Sequence, residues 1–552
     1  MPRTSSRANF GAAALVLTLL SCAPSSPAPG TAAPADTDAA VTAADLRARL
    51  GIFADDSMMG RAAGTLGNVR GTAYLAGEAR RLGLTPAGEH GTFFQTVPLV
   101  ARTLARGVGI RAGSTAFAPY TDFIPRDQGK GARDLDGVPV VDGGVYGDST
   151  RPPLSPEQAA DRLVVVRVAP DSNGSPAGTV NRAVVTAQFA TAAGIAVATL
   201  DAIGPQEREE LRAPGAELAQ PSDTEAPAFM YVSARMAQEL LRAGIARGSI
   251  AFADSPAPAP ARNVVAILPG SDPALRGELV AIGAHNDHEG IAPTPQDHDS
   301  LRAWNRVMRP GGAENSPGQP TTEQSARIRA ILDSLRRANR PRRDSIFNGA
   351  DDDGSGAVGV LEIAEALARS PNRPKRSILF VWHTAEELGL LGADWFTRHP
   401  TVPRDSIVAQ LNIDMIGRGG PGDLPGGGPA YLQLIGSRRL STELGDLVER
   451  VNTQGRHGFA FNYDWDTDGH PDNSYCRSDH YMYARYGIPV TFFTTGGHLD
   501  YHQLTDEIAY EDYDKMARVA GLIEGVARSV ADLDHRVLVD KPKPDPEGTC
   551  KQ

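Results

Sequence analysis

Cysteine is nearly missing from this chain of 552 residues: Cys22, Cys476 and Cys550 are all it has. Cys550 sits in a Lys- and Pro-rich tail that gives no reason to hold it near Cys476, so no structural disulfide is expected. Positive charge is also short. The formal net charge is −11, an acidic balance that argues against nucleic acid as a partner. Past the first twenty residues, no apolar run is long enough to span a bilayer. Several catalytic signatures are absent too. No His-Glu-x-x-His occurs, which counts against a single-zinc endopeptidase, and no Gly-x-Ser-x-Gly, which counts against a nucleophile-elbow serine hydrolase. The glycine run from Gly417 to Gly428 lacks the Lys-Ser/Thr ending of a phosphate loop.

What is present begins with a leader. Arg3 and Arg7 precede an apolar stretch from Phe10 to Leu20 that is too short to cross a membrane. It ends Leu19-Leu20-Ser21-Cys22, similar to a bacterial lipoprotein signal, with cleavage before Cys22 and lipid on that cysteine. Removing residues 1–21 takes away two positive charges and leaves −13. Residues 23–40, rich in Ala, Pro, Ser and Thr, read as a flexible tether. The expected location is therefore the cell envelope, lipid-anchored at the outer membrane or periplasm, with secretion as the alternative.

The length supports more than one domain. Residues 41–100 open with helical patterns at Ala44–Leu50 and 68–82. Residues 101–255 are β-rich, with strand-like runs at 138–141, 163–166 and 195–200 around a helical stretch at 181–193. A Pro/Ala linker follows. From 260 to 535, strands at 264–268, 279–284, 378–382, 408–413 and 490–493 alternate with helices at 357–369, 441–451 and 512–533. That alternation predicts an α/β fold, a three-layer sandwich around a mostly parallel mixed sheet. Residues 292–345 interrupt it as a long insertion, polar at first and helical from Thr322 to Asn339, either a lid or a surface loop without a role. Residues 536–552 form the tail.

Five side chains that suit a metal appear along this domain: His285, Asp352, Glu387, Asp414 and His502. Four of the motifs around them fall at carboxyl ends of predicted strands or in a Gly-rich approach to a helix, where open α/β sheets place ligands. Two imidazoles and three carboxylates suit a pair of zinc ions sharing one bridging carboxylate. Glu386, a spare carboxylate beside a ligand, is placed to act as a base. A second acidic run, Asp464, Asp466 and Asp468, begins like a calcium loop. Its twelfth position is Tyr475 where a bidentate Glu is needed, which counts against a structural Ca(2+) there. Of the remaining histidines near these motifs, His288, His298, His383 and His498 are read as structural or surface residues.

At these motifs the chain resembles the zinc-dependent exopeptidases that include bacterial leucyl aminopeptidases, glutamate carboxypeptidase and the transferrin receptor. The ligand motifs stand in family order, Arg477-Ser478-Asp479-His480 precedes the last histidine, and Gly60-Arg61-Ala62-Ala63-Gly64-Thr65 resembles an N-terminal signature. The resemblance implies that residues 101–255 are an inserted protease-associated (PA) domain. It implies two Zn(2+), one held by His285 and Asp414 and one by Glu387 and His502, with Asp352 bridging. It also implies that Asp287 orients His285, that His480 is not a ligand, and that Arg477 and Tyr501 hold the substrate carbonyl or the tetrahedral oxyanion. Asp353 departs from the usual Asn, and Asn286 and Glu289 from the commoner Tyr and Leu, which leaves substrate preference open. The implied activity is release of N-terminal residues from peptides, by a water shared between the metals with Glu386 as general base. The alternatives are a carboxypeptidase or dipeptidase on the same site, or a binding protein that kept the fold and lost catalysis.

Overall fold

The structure, a computed structural model, describes residues 37–552 apart from 127–131, 149, 151–153, 170–179, 181, 205–207, 209–210, 213–214, 220–226, 313–317 and 339–340. The leader, Cys22 and most of the tether lie outside the described residues. No described helix is long and apolar enough to cross a membrane.

The apolar runs of the 260–535 region become the centre of a nine-stranded mixed sheet. Strands Ser377–His383, Leu279–His285, Ile407–Ile413 and Val490–Thr494 lie side by side and run parallel. Ala261–Leu268 flanks them antiparallel on one side and Tyr431–Ile435 on the other. Every residue of the four central strands is buried, as expected of parallel strands covered on both faces. Alternate side chains serve different layers. Val280, Ile282, Phe380 and Trp382 face one cluster, which takes in helices Ala43–Phe53, Leu66–Arg81, Gly356–Arg369, Thr442–Gln454 and Tyr513–Ala531. Ala281, Leu379 and Val381 face another, with Phe396 and Tyr483 from the opposite layer. The result is the three-layer α/β sandwich.

Among the covering helices, Arg49 is fully buried and paired with Glu362 and Glu365, and lies 3.5 Å from Glu78, so one guanidinium joins three helices. Residues 109–250 build a second nine-stranded sheet with its own apolar clusters. Leu99–Leu104, Gly215–Leu218 and Phe252–Pro256 form a small sheet beside it in sequence. Residues 38–552 are one compact unit.

Two expectations need correction. The insertion is ordered where its sequence looked irregular. Strand Gly290–Asp297 pairs antiparallel with Arg343–Phe347, and a largely buried helix, His298–Met308, follows. Pro293 and Pro295 fall where the strand register shifts, a position that tolerates residues without an N–H. The second correction is Cys476, which is disulfide-bonded to Cys550 across 74 residues. The tail is held against the domain by its own polar contacts, including Arg485 donating to the Pro546 carbonyl.

Candidate metal centre

The parallel strands deliver their chemistry at one edge. His285 ends its strand in register with His383, and Glu386 and Glu387 follow His383 after a turn. Asp414 follows Ile413 at the end of the next strand. Three of the positions that make these turns are non-glycine residues in the left-handed region: Ala385 (φ 57°), Met415 (φ 64°) and His502 itself (φ 54°). Backbone of that kind persists only where its surroundings enforce it, and it gathers at functional sites.

All five candidate ligands converge, with Asp352 in the middle. Its Oδ1 is 3.0 Å from His285 Nε2, and its Oδ2 is 3.1 Å from His502 Nε2. Asp414 Oδ1 is 3.7 Å from His285 Nε2, and Glu387 Oε2 is 3.0 Å from His502 Nε2. The two histidines thus face different oxygens of one carboxylate, each with a second carboxylate beside it. Asp287 reaches His285 chiefly through its backbone carbonyl, 3.1 Å from Nδ1, with its carboxylate at 3.7 Å. That carboxylate also accepts from the Glu386 N–H at 3.1 Å. Arg477 Nη2 lies 3.5 Å from the Tyr501 hydroxyl.

The loop around Asp352 is fixed from outside. Asp506 accepts from the N–H groups of Asp351 and Asp352 at 3.1 Å. The buried Arg61 donates to the carbonyls of Asn348 and Gly349 at 2.6 and 2.9 Å, which gives the Gly60–Thr65 signature a physical task. Gly60 (φ +67°) is needed because a Cβ there would lie 2.1 Å from the Gly290 carbonyl oxygen. Asp353 accepts from the N–H of His285, Gly356 and Met415, tying three elements at the site with one carboxylate. Asn286 is buried, with its amide donating to the Trp382 carbonyl at 2.8 Å.

Charge in the centre is unbalanced. Burial pushes Glu386 well above the usual carboxylate range, reinforced by Asp414 and Glu387, and burial also raises Asp414. Asp352 is held well below that range because His285 and His502 outweigh its burial. Burial opposes charge on both histidines, yet their carboxylate neighbours raise them well above a free imidazole. Asp352 Oδ2 and His502 Nε2 approach each other yet neither makes a hydrogen bond. Buried carboxylates at this density need cations, and a His/carboxylate set of this kind is a zinc donor set. The residues fit such ions.

Beside the candidate ligands opens a small cavity of about 60 Å³. Its walls include Glu386, Asp352, Asp414, Arg477 and Tyr501, with Met415, Trp465 and Phe492 supplying apolar surface.

Residues 263–527 match the model of peptidase family M28. Over this stretch the chain is similar to that family. Over 82 residues the chain is 42% identical to leupeptin-inactivating enzyme 1 of Streptomyces exfoliatus, which takes in 14% of this chain and 19% of that protein. Over 192 residues it is 30% identical to leucine aminopeptidase 1 of Paracoccidioides brasiliensis (strain Pb03), 33% of this chain and 47% of that one. The chain therefore spans less than half the length of the curated relatives it matches. A solved aminopeptidase from Aneurinibacillus sp. strain AM-1 shares the fold, with TM-score 0.50 at 14% identity over 91% of this chain and 97% of the other.

The site also gathers residues not expected to serve it. His288, expected to be structural or at the surface, is buried with Nδ1 2.7 Å from Glu387 Oε1, within ligating reach of Asp352 and Glu387. The repeat His-x-Asp-His after a strand was the available signal. Glu289 faces His502 Nδ1 at 3.4 Å. Ser478 donates to Asp414 Oδ2 at 2.8 Å and accepts from Asn412 at 2.8 Å. Nothing local marks Asp506, which reaches the site from over 150 residues away. In the run proposed for calcium, Arg439 Nε lies 2.6 Å from Asp466 Oδ1, and no group of three ligands forms there among the described residues.

Proposed function

We propose that this chain is a di-zinc aminopeptidase, with His285 and Asp414 on one ion, Glu387 and His502 on the other, and Asp352 between them. The observation that carries this reading is the position of Asp352, whose two oxygens face the two histidines at the edge of a cavity. When bound, the zinc pair supplies Lewis acidity and an acidified water.

The chain's own residues do the rest. Glu386, buried at the cavity wall, takes the water's proton as the carboxylate; its burial and its carboxylate neighbours favour the acid so formed, which then passes that proton to the leaving amine. Arg477 and the Tyr501 hydroxyl lie on the same cavity wall, suited to the oxygen that gains charge in the tetrahedral state. Ser478 fixes Asp414, and the Asp287 carbonyl fixes the His285 ring. The apolar wall of Met415, Trp465 and Phe492 suits an apolar side chain on the residue released. Residues 101–255 are read as a PA-type insert and Cys22 as the lipid attachment point in the cell envelope. The disulfide agrees with an oxidising compartment.

The test is bound zinc by elemental analysis together with hydrolysis of aminoacyl chromogenic substrates and end-blocked peptides. Two zinc ions per chain and chelator-sensitive release of N-terminal residues are expected. Glu386→Gln should lower kcat by about a thousandfold or more with zinc retained. Two zinc ions with cleavage only at the carboxyl end would replace this reading with a carboxypeptidase.

A further inference from the structure

We infer that residues 549–552 are a strap that sets the width of the substrate cavity, which makes Cys550 and Gln552 positioning residues for side-chain selectivity. The inference rests on the aminopeptidase reading. Four residues of the cavity wall, Trp465, Ser474, Arg477 and Ser478, are carried by the stretch from 463 to 479. That stretch has little regular structure: two three-residue turns, Asp464–Asp466 and Ser474–Cys476, separated by loop. Its turns pair some of its backbone groups with one another, such as the N–H of Thr467 with the Asp464 carbonyl and that of Cys476 with the Asn473 carbonyl, and the groups left over need partners from elsewhere.

Gln552 satisfies several of them, and it does so on both arms of the stretch. Its Nε2 donates to the carbonyls of Trp465 and Thr467 at 2.9 and 3.2 Å. Its Oε1 accepts from the N–H of Tyr475 at 2.8 Å, and its own carbonyl accepts from Gly469 at 3.3 Å. One amide therefore spans the arm bearing Trp465 and the arm bearing Ser474 and Arg477. The disulfide fastens Cys550 to Cys476, the residue before Arg477.

From the opposite direction Arg439 holds the Asp466 side chain and carbonyl and lies over the Tyr475 ring at 4.3 Å. The Trp465 ring meets Gly496, where a Cβ would stand 3.4 Å from Cη2. Trp465 is thus braced against the far wall while the strap fixes its distance from Arg477. None of the five candidate metal ligands lies on these arms. Loosening the strap should widen the cavity and spare the centre.

Three variants test this: deletion of residues 549–552, Cys550→Ser, and Gln552→Ala, which leaves the disulfide in place should the other two fold poorly. Each is compared with the full chain on alanyl, leucyl and phenylalanyl chromogenic substrates, alongside zinc content. The expected result is a fall of about tenfold in the leucyl-to-alanyl ratio of kcat/KM, taken mainly through KM, with zinc unchanged. Unchanged ratios in all three variants would overturn the inference. So would an equal loss on every substrate or a loss of zinc, either of which would mean that the strap only holds the domain together. A full chain inactive on all N-terminal substrates would instead remove the aminopeptidase reading, and this inference with it.

Discussion

The histidines show how strongly environment, not residue type, decides a role. His285 and His502 each meet carboxylates through Nε2, and His288 meets Glu387 through Nδ1. His480, four residues after Cys476, is buried without a hydrogen-bond partner for either ring nitrogen and stacks on Phe492 at 4.9 Å. Burial pushes its pKa down to about 3, against a smaller upward pull from Asp479. The unfolded chain takes up this proton near pH 6.5 and the folded one does not, so stability is whole above pH 6.5 and lost as pH falls towards 3. Between pH 7 and pH 5 the loss from this residue is about 2 kcal/mol. His480→Phe, of similar shape, should be less acid-sensitive than the wild type by that amount in urea melts at the two pH values. Equal pH dependence in both proteins would show that His480 already takes up its proton in the folded state. In the sequence His480 could be set aside as a ligand because it belonged to a motif, whereas for His288 the structural and surface readings stayed open, and its burial against Glu387 agrees with the structural one.

At the scale of elements, the strands and helices of the 260–535 region were legible because their signals are local. Apolar runs such as 279–284 and 408–413 lie within a residue of the strands observed, and the helix expected at 357–369 is found as Gly356–Arg369. The helix His298–Met308 was not legible. Its buried face includes Asp299, Arg302 and Asn305, polar residues that no apolar periodicity would reveal. Arg302 and Asn305 meet the loop that presents Tyr501 and His502. Arg302 is paired with the fully buried Asp500, Asn305 donates to it at 3.3 Å, and Thr505 donates at 2.7 Å. Arg418, at 3.1 Å, is the other cation on Asp500. The insertion therefore acts through its first helix as a buttress for the His502 loop. Arg302→Met should destabilise the protein by about 3 kcal/mol, since removing one partner leaves a buried carboxylate short of charge. It should also weaken metal retention at the His502 side. Denaturant melts and zinc content after dialysis would read both, and a change below about 1 kcal/mol with zinc intact would remove the buttress.

For the whole molecule, charge and distance set what sequence could not. The site unites residues from 285 to 502, and Arg61 and Asp506 support it from still further along the chain. Motif order could suggest the ligands, but not the Asp506 clamp or the Cys476–Cys550 link, because pairing across such separations has no local signature. The centre is also where the acidic character of the chain becomes a folding problem. Asp352, Asp353, Glu386, Glu387 and Asp414 crowd one region, and burial, with neighbouring carboxylates adding to it, raises Asp353, Glu386 and Asp414. A cation that binds the folded chain and not the unfolded one stabilises it by about 4 kcal/mol at a thousandfold excess over its Kd. Chelation should therefore lower the melting temperature by several degrees, and restored zinc should recover it, in step with the zinc measured on the protein. Glu386→Gln removes one uncompensated carboxylate without removing a ligand. Its metal-free form should melt higher than the metal-free wild type, while the zinc-loaded forms lie closer together. A metal-free wild type as stable as the zinc-loaded one would mean that protons, distributed over Glu386, Asp414 and the two histidines, already neutralise the centre.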